Sequence, residues 1–253
     1  MGVILALFNQ KGGVGKTTTC SNLSSCLALN GKRVLAVDFD PQSNLTSGLG
    51  VDRNSLAKTV YNVIIDGVNP IEAIVETSTP NLWILPASID LAGAEIEMSS
   101  MAQRELLLKK ALDKVKDAFN FILIDCPPSL GLLSINALAA ATGVLVPIQC
   151  EYYALEGVSQ LINTINLVKR SLNPFLEVEG VILTMFDTRT NLSQQVMEEV
   201  TAYFGNKVYK SIIPRNIRLA EAPSYGMTIS QYDNKSKGAL AYNKLSEEMI
   251  QKR

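Results

Sequence analysis

The sequence predicts an α/β fold, with a mostly parallel twisted sheet and helices on both of its faces. Short apolar segments rich in β-branched residues, such as residues 3–8 (VILALF) and 121–125 (FILID), alternate with longer segments of helical spacing. The chain of 253 residues is 47% hydrophobic and has no low-complexity linker. We therefore expect residues 1–253 to form one large domain.

Composition excludes several kinds of chemistry and location. The chain contains no histidine, so catalysis must depend on carboxylates, lysines, backbone amides and an oxygen-bound metal. No apolar run approaches the roughly 18 residues that cross a bilayer, and no basic signal region precedes the first strand, which favours a soluble cytoplasmic protein. The four cysteines lack metal-binding spacing and are interpreted as reduced core residues: Cys20, Cys26, Cys126 and Cys150.

A glycine-rich segment, KGGVGKTT, follows the first apolar run and opens a helical pattern. Its three glycines lack a Cβ, so the backbone can adopt positive φ and point successive N–H groups at a polyphosphate. The following helix adds its unpaired N-terminal amides. We expect Lys16 to lie between the outer phosphates and the Thr17 hydroxyl to bind Mg²⁺. The predicted phosphate-binding residues are Lys11, Gly12, Gly13, Val14, Gly15, Lys16, Thr17 and Thr18.

The loop departs from the common pattern G-x-x-x-x-G-K-S/T in an informative way. Gln10 stands where the first glycine would be, and a second lysine, Lys11, precedes the glycines. In this form the loop resembles the deviant Walker A motif, K-G-G-x-G-K-T-T, of the ParA/MinD ATPase family. The resemblance implies the fold of a P-loop NTPase, ATP as the nucleotide, and an ATP-bound homodimer in which Lys11 reaches the partner subunit's nucleotide.

The remaining elements follow in order from periodicity and turn residues. Strands are predicted at residues 33–37, 81–86, 121–125, 143–147, 179–185 and 207–213. Helices are predicted at residues 17–29, 56–65, 70–75, 91–98, 105–115, 134–141, 158–169, 193–203, 217–222 and 237–252.

Two of these strands lead into aspartates. Residues 33–37 run into DFDPQ, where Asp38 and Asp40 lie on the same side of an extended chain, and FILID ends at Asp125. Ligands of open parallel sheets bind at the carboxyl ends of the strands. We expect Asp125 to hold Mg²⁺ through water and Asp38 to support the magnesium shell. The resemblance implies that the later aspartate of D-x-D-P-Q, here Asp40, positions the attacking water.

Two more segments, PASIDLAGAEIE at residues 86–97 and QCEYYALEG at residues 149–157, resemble chromosomal ParA proteins of the Soj type rather than MinD. Tyr152 and Tyr153 are either interface anchors or half-buried core residues. The resemblance implies that a ParB-type protein stimulates ATP hydrolysis. It also implies an adenine site at Pro214, Arg215 and Asn216, and DNA contacts from Arg189 and Arg218.

Charge is distributed unevenly, although the net charge is only −1. Residues 204–244 contain seven basic and two acidic residues. Lys207 and Lys210 therefore join the two arginines as candidates for a surface that binds double-stranded DNA without sequence preference. The alternative is an ordinary solvated face.

The predicted reaction is phosphoryl transfer from ATP to water, in which Lys11 from the partner subunit replaces the usual arginine finger. Only the ATP-bound sandwich dimer would bind DNA, so hydrolysis would release it from the nucleoid. A MinD-like membrane ATPase would need an apolar C-terminal helix face that LAYNKLSEEMIQKR largely lacks. A nucleotide-switched regulator or scaffold would keep the loop and tolerate the loss of Asp40. An iron protein would need paired cluster cysteines.

Overall fold

The computed structural model describes residues 2–151 and 156–252, and within them seven strands form one sheet. The strands are β1 (Val3–Leu7), β2 (Val34–Asp38), β3 (Val75–Glu76), β4 (Leu82–Leu85), β5 (Phe121–Asp125), β6 (Gly143–Gln149) and β7 (Val178–Thr184). Their order in the sheet is β3-β4-β2-β5-β1-β6-β7. Strand β3 is antiparallel to β4 and the other neighbours are parallel, which confirms the predicted fold class.

Helices connect the strands and cover both faces of the sheet. They are α1 (Lys16–Leu29), α2 (Asn44–Gly48), α3 (Val60–Ile64), α4 (Leu91–Met98), α5 (Leu107–Asp113), α6 (Leu132–Ala140), α7 (Glu156–Ser171), α8 (Asn191–Phe204), α9 (Ile217–Glu221), α10 (Ile229–Tyr232) and α11 (Lys237–Gln251). Tyr152 and Tyr153 lie outside the described residues, so their predicted role stays a prediction. No helix within residues 2–151 and 156–252 combines the length and apolar character that crossing a membrane requires.

The strands are apolar on both sides because both sides are buried. In β1, Ile4 and Ala6 belong to the core under α3 to α8, whereas Leu5 and Leu7 belong to the core under α1 and α11. The four cysteines are buried with free thiols, as expected for core residues.

The carboxyl ends of the central strands meet at one edge of the sheet. Asp38 at the end of β2 is level with Asp125 at the end of β5, and Leu7 at the end of β1 is level with the same aspartate. The glycine loop after β1 and the DFDPQ segment after β2 therefore leave the sheet at the same edge, on either side of β5. We call this side the ligand edge.

The predicted last strand at residues 207–213 is wrong. In the part of the chain that the structure describes, its backbone has one isolated bridge to β7, at Val208, and its amides at Tyr209 and Ile213 donate to Val181 and Leu183, but no strand forms. The amides of Lys210 and Ser211 instead donate to the Glu248 carboxylate of α11, at 2.9 and 3.0 Å. The side chain of Glu248, which is distant in the sequence, therefore accepts hydrogen bonds from amides that strand pairing would require.

Two smaller expectations around residues 56–76 are also corrected. The helix predicted at residues 56–65 begins at Val60, where Thr59 and Asn62 form a capping box. The helix predicted at residues 70–75 is a single 3₁₀ turn at Pro70–Glu72, followed by the edge strand β3. Both segments are short, and the pairing of β3 depends on β4, which local periodicity does not reveal.

Candidate functional site

The glycine loop has the backbone that its composition predicts. Gly13 and Gly15 have φ of 73° and 88°, in the left-handed region that favours glycine. Gly15 is the N-cap of α1, so the unpaired amides of the first helical turn face the loop. Such a helix N-terminus attracts anions through its N–H groups and its dipole.

Lys16 is buried and spans the mouth of the loop. Its ammonium donates to the backbone carbonyls of Asn9, at 2.9 Å, and Lys11, at 3.1 Å. Burial lowers the pKa of Lys16, and attraction by Asp125 opposes that shift. A phosphate oxygen would supply the full negative charge that these two carbonyls lack.

Asp125, at the end of β5, is fully buried, and neither of its carboxylate oxygens has a hydrogen-bond partner among the described residues. Burial and the neighbouring Asp38 raise its pKa well above the usual range. The Thr17 hydroxyl lies near enough to oppose that shift, although no hydrogen bond of ordinary geometry joins the two side chains. A buried carboxylate without donors fits a cation.

Mg²⁺ is the cation that this donor set suits. The described residues contain no cluster of three acidic or cysteine side chains that would form a protein cage for a metal. Mg²⁺ instead binds through one or two protein oxygens, with water and substrate phosphates completing the octahedron. The Thr17 hydroxyl and the Asp125 carboxylate, beside a phosphate loop, meet that description.

Asp38 is also buried, but its carboxylate is fully bonded. One oxygen accepts the amide of Thr46, at 2.8 Å, and its hydroxyl, at 2.6 Å, while the other accepts the amide of Asp40 at 3.3 Å. Burial raises the pKa of Asp38 to about 6, and the bonds from Thr46 oppose that shift. The predicted metal role of Asp38 stays a prediction, and in this structure its oxygens hold the DFDPQ segment in place.

Thr46 is a functional residue that sequence reasoning missed. Its hydroxyl donates to Asp38 and accepts the amide of Ala87, at 3.0 Å, so it ties the segment after β2 to the segment after β4. The sequence feature that indicates this role is a hydroxyl side chain in the helical turn that follows DFDPQ.

Asp40 is half-buried and lines a cavity of about 360 Å³ with the glycines, Lys16 and Thr17. One of its oxygens accepts the amide of Gln42 at 2.9 Å. The Asp40 carboxylate therefore lies beside the space that the phosphates would occupy.

A second cavity, of about 370 Å³, adjoins the first. Pro214, Arg215 and Asn216 lie in its wall, as the predicted adenine site requires. Gly15, Thr18 and Met185 line both cavities, so the predicted adenine and phosphate sites adjoin each other.

The wall of the second cavity also contains residues that the sequence did not predict, among them Tyr242 and Met185. Tyr242 of α11 contributes its ring, and its hydroxyl lies 3.1 Å from that of Thr19 in α1. Met185 occupies the left-handed region with φ of 52°, an uncommon conformation for a large side chain, at the junction of the cavities. Only the folded chain brings residues so far apart into one wall.

Lys11 is half-buried at the head of the loop. Its carbonyl accepts Lys16 and its amide donates to Asn9, at 3.0 Å. Its ammonium has no carboxylate within 4.0 Å among the described residues. The charge is therefore available to a ligand or to another subunit.

The four candidate DNA-binding residues do not form one surface. Arg189 follows the end of β7, and Arg218 follows Pro214, whose backbone bridges to Phe186 at the same edge. Lys207 donates to the carbonyl of Val178, the first residue of β7, at 2.8 Å. It therefore lies at the amino end of β7, roughly 20 Å from the ligand edge. Lys210 is exposed on the segment between these two ends of β7.

The fold and the site together define a P-loop nucleoside triphosphatase with a deviant phosphate loop. The family model described as an AAA domain matches residues 2–178. The sporulation initiation inhibitor protein Soj of Bacillus subtilis is 57% identical over 249 residues, which are 98% of each chain. The chromosome-partitioning ATPase Soj of Treponema pallidum is 52% identical over 250 residues, 99% of this chain and 98% of that one.

Among solved structures, cobyrinic acid a,c-diamide synthase from Mycobacterium smegmatis, with bound ADP and magnesium, superimposes with a TM-score of 0.87. It is 41% identical, and the match covers 99% of this chain and 95% of that one. The chain belongs to the ParA/Soj family of chromosome-partitioning ATPases.

Proposed function

We propose that this chain is a Mg²⁺-dependent ATPase that partitions a chromosome or plasmid. The observation that carries the proposal is the site in which the unbonded carboxylate of Asp125 lies beside Lys16 and Asp40. The full-length similarity to chromosome-partitioning ATPases gives that chemistry its biological purpose.

In this proposal the adenine lies against Pro214 to Asn216 and the phosphates lie on the amides of the glycine loop. Lys16 exchanges its two carbonyl partners for phosphate oxygens. Asp125 and Thr17 would hold Mg²⁺, which would neutralise negative charge on the phosphates. Asp40 accepts a hydrogen bond from the attacking water and orients it towards the terminal phosphate.

Lys11 would complete the site of the opposite subunit. Its ammonium, which lies within 4.0 Å of no carboxylate among residues 2–151 and 156–252, supports an ATP-bound sandwich dimer, in which the partner subunit's Lys11 stabilises the charge that develops on the phosphates. Two buried nucleotides would hold the subunits together, and hydrolysis would separate them.

The dimer can be tested directly with Lys11→Ala. The wild-type protein should shift from 27.5 kDa to twice that mass in size-exclusion chromatography with light scattering when Mg²⁺ and a non-hydrolysable ATP analogue are added. Lys11→Ala should bind the analogue and remain a monomer. Lys32→Ala, which removes a lysine just beyond the far end of α1, is the control and should dimerise. A Lys11→Ala protein that dimerises normally would contradict the role of this lysine.

Non-specific DNA binding is the proposed output of the dimer, with a ParB-type protein stimulating hydrolysis and thus release. Each subunit brings Arg189 and Arg218 to the ligand edge, and pairing doubles the number of phosphate contacts. If two contacts per subunit become four, the slope of log K against log salt changes from about −1.8 to about −3.6. The dimer would therefore act in the cytoplasm, on the nucleoid.

Arg189→Glu should keep ATP binding and lose DNA binding. The guanidinium is exposed on 84% of its surface, so the substitution reverses one charge per subunit without disturbing the core. Fluorescence anisotropy with a short DNA duplex, at several salt concentrations, should show at least about a tenfold loss of affinity. The control is Arg170→Glu, an exposed arginine at the other edge, next to Lys169, which pairs with Glu177 before β7. Equal losses in both variants would contradict a specific role for Arg189.

The membrane alternative has less support. Helix α11 buries Tyr242, Leu245 and Met249 in the core beside α1, so these residues are committed to the fold rather than to a lipid surface. A non-hydrolysing scaffold would differ from an ATPase in one respect: it would tolerate the loss of Asp40.

A further inference from the structure

The proposed DNA contact Arg189 is already bound to an anion within its own loop. Its guanidinium donates to both oxygens of Asp187, from Nε at 2.9 Å and from Nη2 at 2.6 Å. This parallel, two-bond geometry is the one that guanidinium groups also use to bind phosphate. The Asp187 carboxylate therefore occupies two of the five guanidinium donors, those on the Nε–Nη2 side, where a DNA phosphate would otherwise bind with the same geometry.

The carboxylate is held firmly under the arginine. The backbone of Asp187 accepts the Thr190 hydroxyl at 3.2 Å and donates to the Ser193 hydroxyl at 3.3 Å, at the start of α8. The Asp187 side chain is 20% exposed, whereas that of Arg189 is 84% exposed. Hydrogen bonds from Arg189 hold the pKa of Asp187 well below its usual range, so the carboxylate is charged at physiological pH.

We propose that Asp187 competes with DNA phosphate for Arg189 and thereby weakens the DNA binding of each subunit. This inference rests on the proposed DNA-binding function and adds a residue that sets its strength. Binding is then an exchange of anions: Arg189 leaves a carboxylate for a phosphate, and Asp187 acquires a cation from solution. Two weakened contacts per dimer favour a complex that forms with ATP and dissociates when the subunits separate.

The exchange has a measurable signature in the salt dependence. A basic side chain that neutralises a phosphate releases about 0.9 counterion. Cation uptake by the abandoned Asp187 cancels that release in the wild-type protein. Removing the negative charge of Asp187 should therefore steepen the salt slope by about 0.9 per subunit, or about 1.8 for the dimer. A purely structural role for Asp187 would leave the slope unchanged.

Asp187→Asn is a conservative test, because asparagine can still accept the Arg189 amide that Asp187 now accepts at 3.0 Å. The matched control is Glu198→Gln, which removes the same charge from an exposed position on α8 where glutamine can keep the bond from Gln194. Arg189→Ala and the double variant Asp187→Asn/Arg189→Ala complete a double-mutant cycle. Melting temperatures establish that each variant is folded.

Affinity for a short fluorescent DNA duplex is measured across salt concentrations, with Mg²⁺ and a non-hydrolysable ATP analogue. Asp187→Asn should bind about threefold more tightly per subunit, or roughly tenfold for the dimer, with the steeper slope. Glu198→Gln should bind DNA with an affinity within about twofold of the wild-type value, because salt screens exposed charges that lie more than a Debye length from the DNA. In the Arg189→Ala background the effect of Asp187→Asn should disappear.

Two results separate the possible failures. If the wild-type protein binds DNA but Asp187→Asn behaves like Glu198→Gln, or strengthens binding equally without Arg189, the inference is overturned and the proposed function stands. If neither the wild-type protein nor Asp187→Asn binds DNA in any nucleotide state, both are overturned.

Discussion

Lys16→Ala is expected to lower the affinity for ATP by at least about a hundredfold. The ammonium of Lys16 is buried and directed across the loop by two carbonyls, so it is placed for the phosphates before they arrive. A hydrogen bond to a charged group contributes about 1.5 to 3 kcal/mol, and each 1.4 kcal/mol changes affinity tenfold. Two such bonds to phosphate oxygens account for the expected loss.

Thermal unfolding gives a direct measurement of that loss. ATP at about 100 times its Kd should stabilise the wild-type protein by about 2.7 kcal/mol, which raises the melting temperature by roughly 5–10 °C in a chain of this size. Lys16→Ala should show no such rise, although it unfolds cooperatively without nucleotide. Lys244→Ala, which removes an exposed lysine of α11, is the control and should keep the full rise. A normal rise in the Lys16 variant would place the phosphates elsewhere.

The parts of the site that the sequence predicts are those encoded by a few consecutive residues. KGGVGKTT specifies its own backbone, because Gly13 and Gly15 adopt the positive φ that glycine favours and α1 starts directly after them. FILID specifies a buried strand with an aspartate at its end for a similar reason. In both cases the chemistry and the local geometry lie within one short segment.

The parts that the sequence does not predict depend on distant residues. Thr19 and Tyr242 are separated by 223 positions, yet their hydroxyls meet and Tyr242 thereby joins a cavity wall. Ser211 and Glu248 are separated by 37 positions, yet their hydrogen bond stands where strand pairing was predicted. The sequence predicts Asp38 beside the magnesium shell, but it does not predict the two bonds from Thr46 that hold the Asp38 carboxylate. Side-chain partners of this kind are set by tertiary packing, which periodicity does not contain.

The basic segment shows the same limit for charge. Counting residues 204–244 gives a positive excess, but Lys207 and Arg218 lie at opposite edges of the sheet. Composition therefore predicts a basic region but not how its charges are arranged on the surface. The structure shows that both arginines are in ion pairs, Arg189 with Asp187 in the loop after β7 and Arg218 with Glu221 in α9.

Asp40→Ala is expected to abolish hydrolysis and preserve ATP binding. Asp40 bonds to the amide of Gln42 and lies close enough to Asp125 and Lys16 to influence their charges. Removing its negative charge reduces repulsion of the triphosphate, so we expect ATP affinity to be unchanged or higher. Loss of a group that orients water should slow turnover about 10² to 10⁴-fold.

The same variant tests the link between hydrolysis and DNA release. With Mg-ATP and DNA, Asp40→Ala should accumulate as a DNA-bound dimer that persists while the wild-type complex decays, as followed by light scattering and anisotropy. Asp40→Asn keeps an acceptor for the Gln42 amide, and therefore the turn, but loses the negative charge. It should behave like Asp40→Ala, because hydrolysis depends on the charge rather than on the turn. Asp52→Asn, in an exposed turn of the same kind, should turn over ATP normally. A scaffold that uses ATP only as a switch predicts that Asp40→Ala and wild type dissociate from DNA at equal rates, because hydrolysis would then play no part in release.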